Sequence, residues 1–106
     1  MTPEGRFKKK VIKALKDNPK VVYWVSEARY RRGLPDIVGV VFPGIFFAFE
    51  VKPVTPFRKD GRPKSGRIKL QYQQLAKINE KGGHGMFIWP ENFDEAMDSL
   101  NYKGTV

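Results

Sequence analysis

Apolar residues recur along this chain with two different periods, and the changes between them mark out its elements. At the start of the chain they repeat with the period of a helix. The repeating positions are Phe7, Val11, Ala14 and Leu15, with lysines between them. Thr2 before Pro3 is a typical helix start, and the Asp-Asn-Pro sequence at 17–19 is a typical stop. The pattern predicts an amphipathic helix from Pro3 to about Lys16.

Four short apolar runs predict β-strands, because β-branched and aromatic residues dominate them. The runs are residues 21–25, 36–42, 45–52 and 85–89. Pro43 and Gly44 lie between the second and third runs, and such a pair is typical of a turn. We therefore expect these two strands to form a hairpin. Pro53 ends the third strand, because proline has no backbone N–H to donate.

Two further helices are predicted on either side of the fourth strand. The first covers residues 69–81 and is closed by Gly82 and Gly83, since glycine readily adopts the conformation that ends a helix. The second is short and amphipathic. Asn92, with Glu95 three residues later, resembles a capping box at its start. The predicted order is α-β-β-β-α-β-α, without internal repeats.

The segment from residue 53 to 67 has no hydrophobic period. It contains several prolines and glycines among five basic residues. Segments of this length without regular structure are usually functional or disordered in a small domain. We expect a long mobile loop here.

The length and composition predict one globular domain over residues 1–106. A chain of 106 residues buries one core, and 41% hydrophobic residues is too many for a disordered chain. No apolar stretch reaches the roughly 18 residues of a membrane span and no secretory signal opens the sequence, so we expect neither. The chain has no cysteine, which excludes disulfides and thiolate-bound zinc and is compatible with the cytoplasm.

The excess of positive charge in the chain indicates what kind of partner it binds. Twenty Lys and Arg against eleven Asp and Glu give a formal net charge of +9. At this size such an excess favours an anionic partner, of which nucleic acid is the commonest. The alternative is an ordinary basic protein. No Gly-rich phosphate-binding loop is present, so we expect no nucleotide cofactor.

Two segments, residues 34–39 and 49–52, place ionisable side chains at the ends of apolar runs. In the second, alternation along a strand puts Glu50 and Lys52 on one face. Charges on an apolar strand are costly to bury unless they meet partners or a metal. Asp36, at the edge of the neighbouring run, could supply a second carboxylate. Two carboxylates and a lysine are a recognisable arrangement for hydrolysing phosphodiesters with a divalent metal.

The Gly-Leu-Pro-Asp sequence at 33–36 and the Glu-Val-Lys sequence at 50–52, in an αβββαβ order, resemble the PD-(D/E)xK nuclease superfamily. Within that superfamily the sequence is most similar to the virus-type replication-repair nuclease (VRR-NUC) branch. Two further features support this resemblance: Glu4 on the first helix, and Gln71 on a helix that ends in Gly-Gly. The resemblance covers about residues 4 to 89. It implies an α/β fold with a restriction-endonuclease-like αβββαβ core, a mixed central sheet flanked by helices, and a short C-terminal helix.

The resemblance also implies a metal site and a set of catalytic residues. Asp36, Glu50 and the backbone carbonyl of Val51 would bind Mg²⁺ or Mn²⁺, which prefer hard oxygen ligands. Lys52 would orient the attacking water, help to deprotonate it and stabilise negative charge on the phosphoryl oxygens. Gln71 and Glu4 are the remaining predicted catalytic residues.

Each of these residues also has a purely structural interpretation. Asp36 could be a turn residue, and Glu50 and Lys52 could be solvated charges at a strand end. Glu4 could simply stabilise the helix dipole, although it falls on the face that we expect to be buried. Gln71 also falls on an inward face, where its amide could make a structural hydrogen bond.

The basic residues are predicted to bind DNA in two groups. The first leads into Asp36, and its arginines could grip phosphates while its tyrosine stacks on a base. The second follows the third strand and could wrap around a duplex or branched substrate. The groups are Arg29, Tyr30, Arg31 and Arg32, and Arg58, Lys59, Arg62, Lys64, Arg67 and Lys69. His84, between glycines, is interpreted as part of a solvated turn.

These features predict a metal-dependent, structure-specific DNA endonuclease with a role in DNA repair. The resemblance implies a Holliday-junction resolvase acting as a homodimer on branched DNA, in the cytoplasm of a bacterial or phage-infected cell. One alternative is a flap or nicking endonuclease of the same superfamily. Another is a non-catalytic nucleic-acid-binding protein, whose binding would depend on salt but not on Mg²⁺.

Overall fold

The structure, a computed structural model, describes residues 2–26 and 34–103. Three helices and four strands follow one another in the predicted order. They are α1 (Pro3–Lys16), β1 (Val21–Val25), β2 (Ile37–Val41), β3 (Ile45–Val51), α2 (Gly66–Glu80), β4 (His84–Ile88) and α3 (Phe93–Lys103). A single 3₁₀ turn, Pro90–Asn92, leads into α3. None of the helices in these ranges is long and apolar enough to cross a membrane.

The strands form one mixed sheet in the order β1-β2-β3-β4. β1, β2 and β3 are antiparallel neighbours, so the predicted hairpin is confirmed. β4 pairs with β3 in parallel, which requires a crossover, and α2 supplies it. The fold class predicted from the sequence, a mixed central sheet flanked by helices, is confirmed.

The two faces of the sheet are covered differently. On one face, α1 and α3 pack over the inward residues of all four strands and form the larger core, with Phe47, Phe49 and Val51 of β3 at its centre. On the other face, α2 packs on β3 and β4 through a smaller cluster of Ala48, Leu75 and Phe87. The alternation predicted for β3 is therefore confirmed, since its odd positions face one core and its even positions face α2.

Gly39 in β2 shows how tightly the larger core is built. A side chain on it would lie 2.3 Å from the carbonyl oxygen of Val22 and 2.6 Å from the ring of Phe47. Only glycine leaves room for that ring, which is wholly buried. β3 is thereby held against β2 over its whole paired length.

Helix α2 begins one turn earlier than the sequence predicts, at Gly66 instead of residue 69. The hydroxyl of Ser65 accepts a hydrogen bond from the N–H of Ile68 and caps the helix. Its end agrees with the prediction, because Gly82 has a φ of 91° and accommodates the turn that closes the helix. The earlier start brings Arg67 into the first turn of α2.

Residues 53–67 were predicted to lack regular structure, and this prediction is wrong for their central part. Residues 56–64 fold into a small hairpin, here called the basic hairpin, around a bridge between Phe57 and Pro63. Backbone hydrogen bonds join Arg58 N–H to Arg62 and Lys64 N–H to Pro56. Buried Pro56 and half-buried Phe57 anchor it, which explains why no hydrophobic period was needed to order the segment.

The predicted capping box at the last helix is also wrong. The side chain of Asn92 turns back towards β4 and away from α3. Its amide oxygen accepts from the N–H of Trp89 at 2.7 Å, and its amide nitrogen donates to the carbonyl of Phe87 at 3.0 Å. The 3₁₀ turn continues directly into α3 at Phe93. The side chain of Asn92 therefore caps the 3₁₀ turn and fixes the end of β4, and it does not cap α3.

Candidate active site

The site lies where β2 and β3 separate. The antiparallel register pairs Ile37 with Phe49, so the preceding residue, Asp36, lies opposite Glu50. The carboxylate of Asp36 accepts a hydrogen bond from the backbone N–H of Val51 at 2.9 Å. This side-chain hydrogen bond continues the ladder just before β2 begins, and it fixes the Asp36 carboxylate beside β3.

Ser26 holds the backbone at Asp36 in place through hydrogen bonds. Its hydroxyl donates to the backbone carbonyl of Pro35 and lies 3.3 Å from the carbonyl of Asp36, while the N–H of Ser26 donates to that same carbonyl at 2.9 Å. Pro35 itself is buried. The sequence offers no motif for this role of Ser26, because the contact depends on the pairing of β1 with β2.

Glu50 is the buried charge-bearing residue of the described chain, with only 5% of its surface exposed. Burial raises its pKa to about 7, with further increases from the negative charge of Asp36 and from a hydrogen bond with that residue. The nearby positive charges of Lys52 and Arg67 lower the pKa by smaller amounts. Glu50 therefore exchanges a proton near neutral pH, and its carboxyl shares hydrogen bonding with Asp36.

Gln71 reaches this pair from the second turn of α2. Its Nε2 donates to Oε2 of Glu50 at 3.1 Å. Its Oε1 is buried and has no hydrogen-bond partner among the described residues. A buried amide oxygen normally has a partner, so this atom indicates a place for a further donor or ligand beside Glu50.

The backbone of Val51 faces the same point. In a strand the N–H and C=O of one residue point to the same neighbour, and the N–H of Val51 points to Asp36. The carbonyl of Val51 therefore points towards Asp36 as well. Lys52, the next residue, directs its N–H the other way and donates to the carbonyl of Ile88 in β4 at 2.9 Å.

This donor set fits a hard divalent cation. Two carboxylates and a backbone carbonyl are the ligands that Mg²⁺ and Mn²⁺ accept, and Mg²⁺ usually keeps several waters besides one or two carboxylates. Within residues 2–26 and 34–103 no group of three or more His, Cys, Asp or Glu side chains could hold a metal. Any cation bound here would thus depend on the carbonyl and on water in addition to Asp36 and Glu50.

Glu4 is not placed as the sequence predicted. We expected it on the buried face of the first helix, but its side chain is exposed in the first turn of α1. The buried residues of α1 are Phe7, Val11 and Leu15, as the periodicity predicted, but Glu4, one turn before Phe7, stays exposed at the start of the helix. The structure brings Asp36, Glu50, Lys52 and Gln71 together without it, and a catalytic role for Glu4 stays a prediction.

The predicted DNA-binding residues fall into described and undescribed parts of the chain. Arg29, Tyr30, Arg31 and Arg32 lie outside the described residues. The second group is exposed along the basic hairpin and the first turn of α2. One of its members does more than predicted, because Arg67 lies close enough to Glu50 to lower its pKa. Its position follows from the early start of α2, which the sequence analysis missed although Ser65 is a good N-cap.

His84 is not in a solvated turn. It is the first residue of β4 and is half buried, with its Nε2 2.7 Å from the hydroxyl of Ser99 in α3. Its ring also packs edge-on against Phe49, with 6.4 Å between the ring centres. The residue therefore belongs to the packing of α3 against the sheet.

A search of solved structures finds a VRR_NUC domain with the same architecture. The two chains superpose with a TM-score of 0.64 over 92% of this chain and 97% of that one, at 18% sequence identity. The likeness shows that this chain has the fold of a VRR_NUC domain, as its motifs predicted. No protein-family model matches the sequence, and no curated protein matches it.

Proposed function

We propose that this protein is a metal-dependent endonuclease that hydrolyses phosphodiester bonds in DNA. The observation that carries the proposal is the convergence of Asp36, Glu50 and Gln71 at the separating ends of β2 and β3, with Lys52 beside them. A buried carboxyl with a strongly raised pKa next to a second carboxyl is typical of a functional site. The VRR_NUC fold supports the same class.

Asp36, Glu50 and the carbonyl of Val51 would hold Mg²⁺ or Mn²⁺. Such an ion polarises a phosphoryl oxygen and lowers the pKa of a bound water, which supplies a nucleophile at neutral pH. The positive charge would also favour the ionised form of Glu50, whose pKa is raised by burial without it. Because the cation needs the ionised carboxylate of Glu50, the carboxyl pair should bind it tightly at neutral and alkaline pH and weakly at acidic pH.

The other residues of the site bind and orient the reacting groups. The ammonium of Lys52 places a positive charge beside the pair, where it can hold the attacking water and stabilise charge on the phosphoryl oxygens. Gln71 keeps Glu50 in place through Nε2 and offers Oε1 to the water. Arg67 can bind a phosphate next to the scissile one, since guanidinium groups match phosphate oxygens well.

The proposed substrate is branched DNA, with a Holliday junction as the leading case and a role in DNA repair. The net charge of +9 and the exposed cations of the basic hairpin support a polyanionic partner. The proposal also includes Glu4 as a predicted catalytic residue, and as predicted DNA contacts Arg29, Tyr30, Arg31 and Arg32. The proposed location, the cytoplasm of a bacterial or phage-infected cell, is consistent with a chain that has no cysteine.

Cleavage of labelled substrates tests the activity. The protein is incubated with a four-way junction, a flap, a nicked duplex and an intact duplex, each with Mg²⁺, Mn²⁺ or a chelator. Metal-dependent symmetric nicks in the junction are the expected result. Cleavage of the flap or the nicked duplex alone would keep the chemistry and replace the substrate. Salt-sensitive binding without cleavage under any condition would favour the non-catalytic binding protein.

A homodimer is part of the proposal, because two symmetric cuts need two active sites related by a twofold axis. The sheet offers a surface for it on the side of β1 and β2 that α2 leaves open. Three exposed side chains of these two strands lie on it and carry no charge: Val22, Trp24 and Val40. Since each chain has a net charge of +9, an uncharged face is the one on which two copies repel each other least.

Replacing Trp24, which is 58% exposed, tests this surface. We expect Trp24→Glu to convert a dimer into a monomer in sedimentation velocity, because two like charges would face each other across the twofold axis. Leu70→Glu, at an exposed apolar residue of α2, is the matched control and should leave the dimer intact. A wild-type protein that sediments as a monomer at micromolar concentration would contradict the homodimer.

A further inference from the structure

A groove of about 1020 Å³ runs between the basic hairpin and the first turns of α2. Its volume is that of a site for a molecule the size of a nucleotide or larger. Aromatic and positively charged side chains line it together: Phe57 and Tyr72, and Arg58, Arg62 and Lys69. The cations were predicted from the sequence as contacts to DNA, whereas neither aromatic ring was predicted to bind it.

The two aromatic rings of the groove, Phe57 and Tyr72, are held in place by other aromatic side chains. Phe57 meets Tyr72 edge-to-face, with 6.0 Å between ring centres, and it meets Phe87 and Trp89 in the same way on its inner side, at 5.6 and 6.4 Å. Tyr72 nevertheless stays 51% exposed. A ring that is fixed by its neighbours and open to solvent is a ready surface for stacking another aromatic group.

The cations of the groove are available to an anion. In the part of the chain that the structure describes, Arg58 and Lys69 form no ion pair, and Arg62 is paired through Nε with Asp60 at 3.0 Å. That pair is exposed, and the remaining guanidinium N–H groups of Arg62 stay free to donate. The groove thus joins an open aromatic surface to three positive charges.

The groove lies beside the carboxyl pair. Gln71 and Tyr72 are consecutive on α2, and successive helical side chains point about 100° apart. Gln71 therefore reaches Glu50 while Tyr72 turns into the groove. A strand cut at the carboxyl pair could place a neighbouring nucleotide against Tyr72.

We propose that this groove binds an unpaired nucleotide of the DNA substrate, with its base stacked on Tyr72 and its phosphates bound by Arg58 and Lys69. A base inside a duplex has both faces covered by its neighbours, so it cannot stack on Tyr72, whereas an unpaired base offers a free face. This inference rests on the proposed nuclease function and deepens it. The groove would favour branched DNA with an unpaired nucleotide next to the cut, as at the opened branch point of a four-way junction, and it would accept a flap in the same way.

Binding without metal tests the groove separately from cleavage. The probe is a duplex with a short single-stranded tail that carries 2-aminopurine, whose fluorescence falls when it stacks, and the buffer contains a chelator. We expect the wild-type protein to quench the probe. Tyr72→Ala should bind the probe at least about tenfold more weakly than the wild type. Tyr72→Phe, which keeps the ring, should bind and quench like wild type. An abasic site at the labelled position should weaken binding to wild type but not to Tyr72→Ala.

Two lysines of α2 distinguish binding in the groove from nonspecific attraction between DNA and a basic protein. Lys69→Ala should weaken binding of the tailed duplex more than Lys77→Ala, because Lys77 is exposed on α2 outside the groove. Circular dichroism checks that each variant is folded. Equal affinity of Tyr72→Phe and a folded Tyr72→Ala, or an unquenched probe bound to wild type, would overturn the groove. Cleavage of DNA in that case would leave the nuclease intact, whereas stacking without any cleavage would keep the groove and remove the nuclease.

Discussion

Lys52→Ala is expected to lower the rate of metal-dependent DNA cleavage by about a hundredfold to a thousandfold, the usual cost of removing one group that stabilises charge in a transition state. Lys52 follows β3 directly, and its backbone is fixed by the hydrogen bond to Ile88. Its charge acts on the buried Glu50. The variant should still bind DNA in the presence of a chelator, because the exposed cations of the basic hairpin remain.

Two further variants give this experiment its controls. Lys16→Ala removes the same charge from an exposed site at the end of α1 and should cleave at the wild-type rate. Lys52→Arg keeps the charge but replaces the ammonium with a group that does not give up its proton. Partial activity of Lys52→Arg would indicate that the charge matters most, and full loss would indicate that Lys52 also accepts a proton. Wild-type cleavage by Lys52→Ala would contradict its catalytic role.

Glu50→Gln is expected to abolish cleavage and, in the same protein, to increase stability at alkaline pH. The isosteric amide cannot supply an anionic oxygen to a cation, so metal-dependent activity should fall below detection. Without metal, however, the ionised carboxylate of Glu50 is costly in its buried position. Replacing it with a neutral group removes that cost while keeping the shape of the side chain.

The sign and size of the stability effect follow from the pKa. Burial raises the pKa of Glu50 from 4.5 to about 7, so the folded protein holds its proton more tightly than the unfolded chain does. The contribution of Glu50 to the stability of the wild type therefore falls as the pH rises through this interval, by about 3 kcal/mol when complete. Below the lower value both states are protonated, and the wild type and Glu50→Gln should differ little.

Urea unfolding of metal-free wild type and Glu50→Gln between pH 4 and pH 8 measures this difference. The gap between the two free energies of unfolding should open as the pH rises and close when Mg²⁺ is added, since an ion that binds the folded state stabilises the wild type. Glu95→Gln, an exposed acid in the first turn of α3, is the control and should follow the wild-type pH dependence. Parallel curves for Glu50→Gln and wild type would contradict a buried, proton-binding Glu50.

The sequence predicted the elements well where local chemistry decides them. The Thr2 cap with Pro3 fixed the start of α1, and the run of β-branched residues at 21–25 became β1 without a change of bounds. It failed where side chains act at a distance. Asn92 has the local signature of a helix cap, yet its amide closes the end of β4. The basic hairpin is ordered by Phe57 packing on Phe87, a contact between residues thirty positions apart in the sequence.

In the candidate site, too, the features that depend on local pattern were predicted and those that depend on long-range packing were not. Alternation along β3 placed Glu50 on the face opposite Phe49, and the spacing of two apolar runs joined by a turn was enough to predict that Asp36 and Glu50 would be neighbours. The periodicity of α2 put Gln71 on its inward face, whereas only the resemblance to the VRR-NUC branch placed it in the site, where it donates to Glu50. Neither the exposure of Glu4 nor the approach of Arg67 to Glu50 could be predicted, because each depends on the exact rotation or start of a packed helix.

The sequence by itself therefore determined the order of the elements and the faces of β3, since these depend on residue type and on local periodicity. Its motifs also singled out the residues that we propose to carry the chemistry. Only the tertiary structure decided that the carboxyl of Glu50 is buried enough to have a pKa of about 7, that Gln71 keeps an unpartnered oxygen beside it, and that Tyr72 and the basic hairpin enclose a groove. Burial and enclosure are properties of several chain segments packed together. They depend on distances that no local pattern encodes.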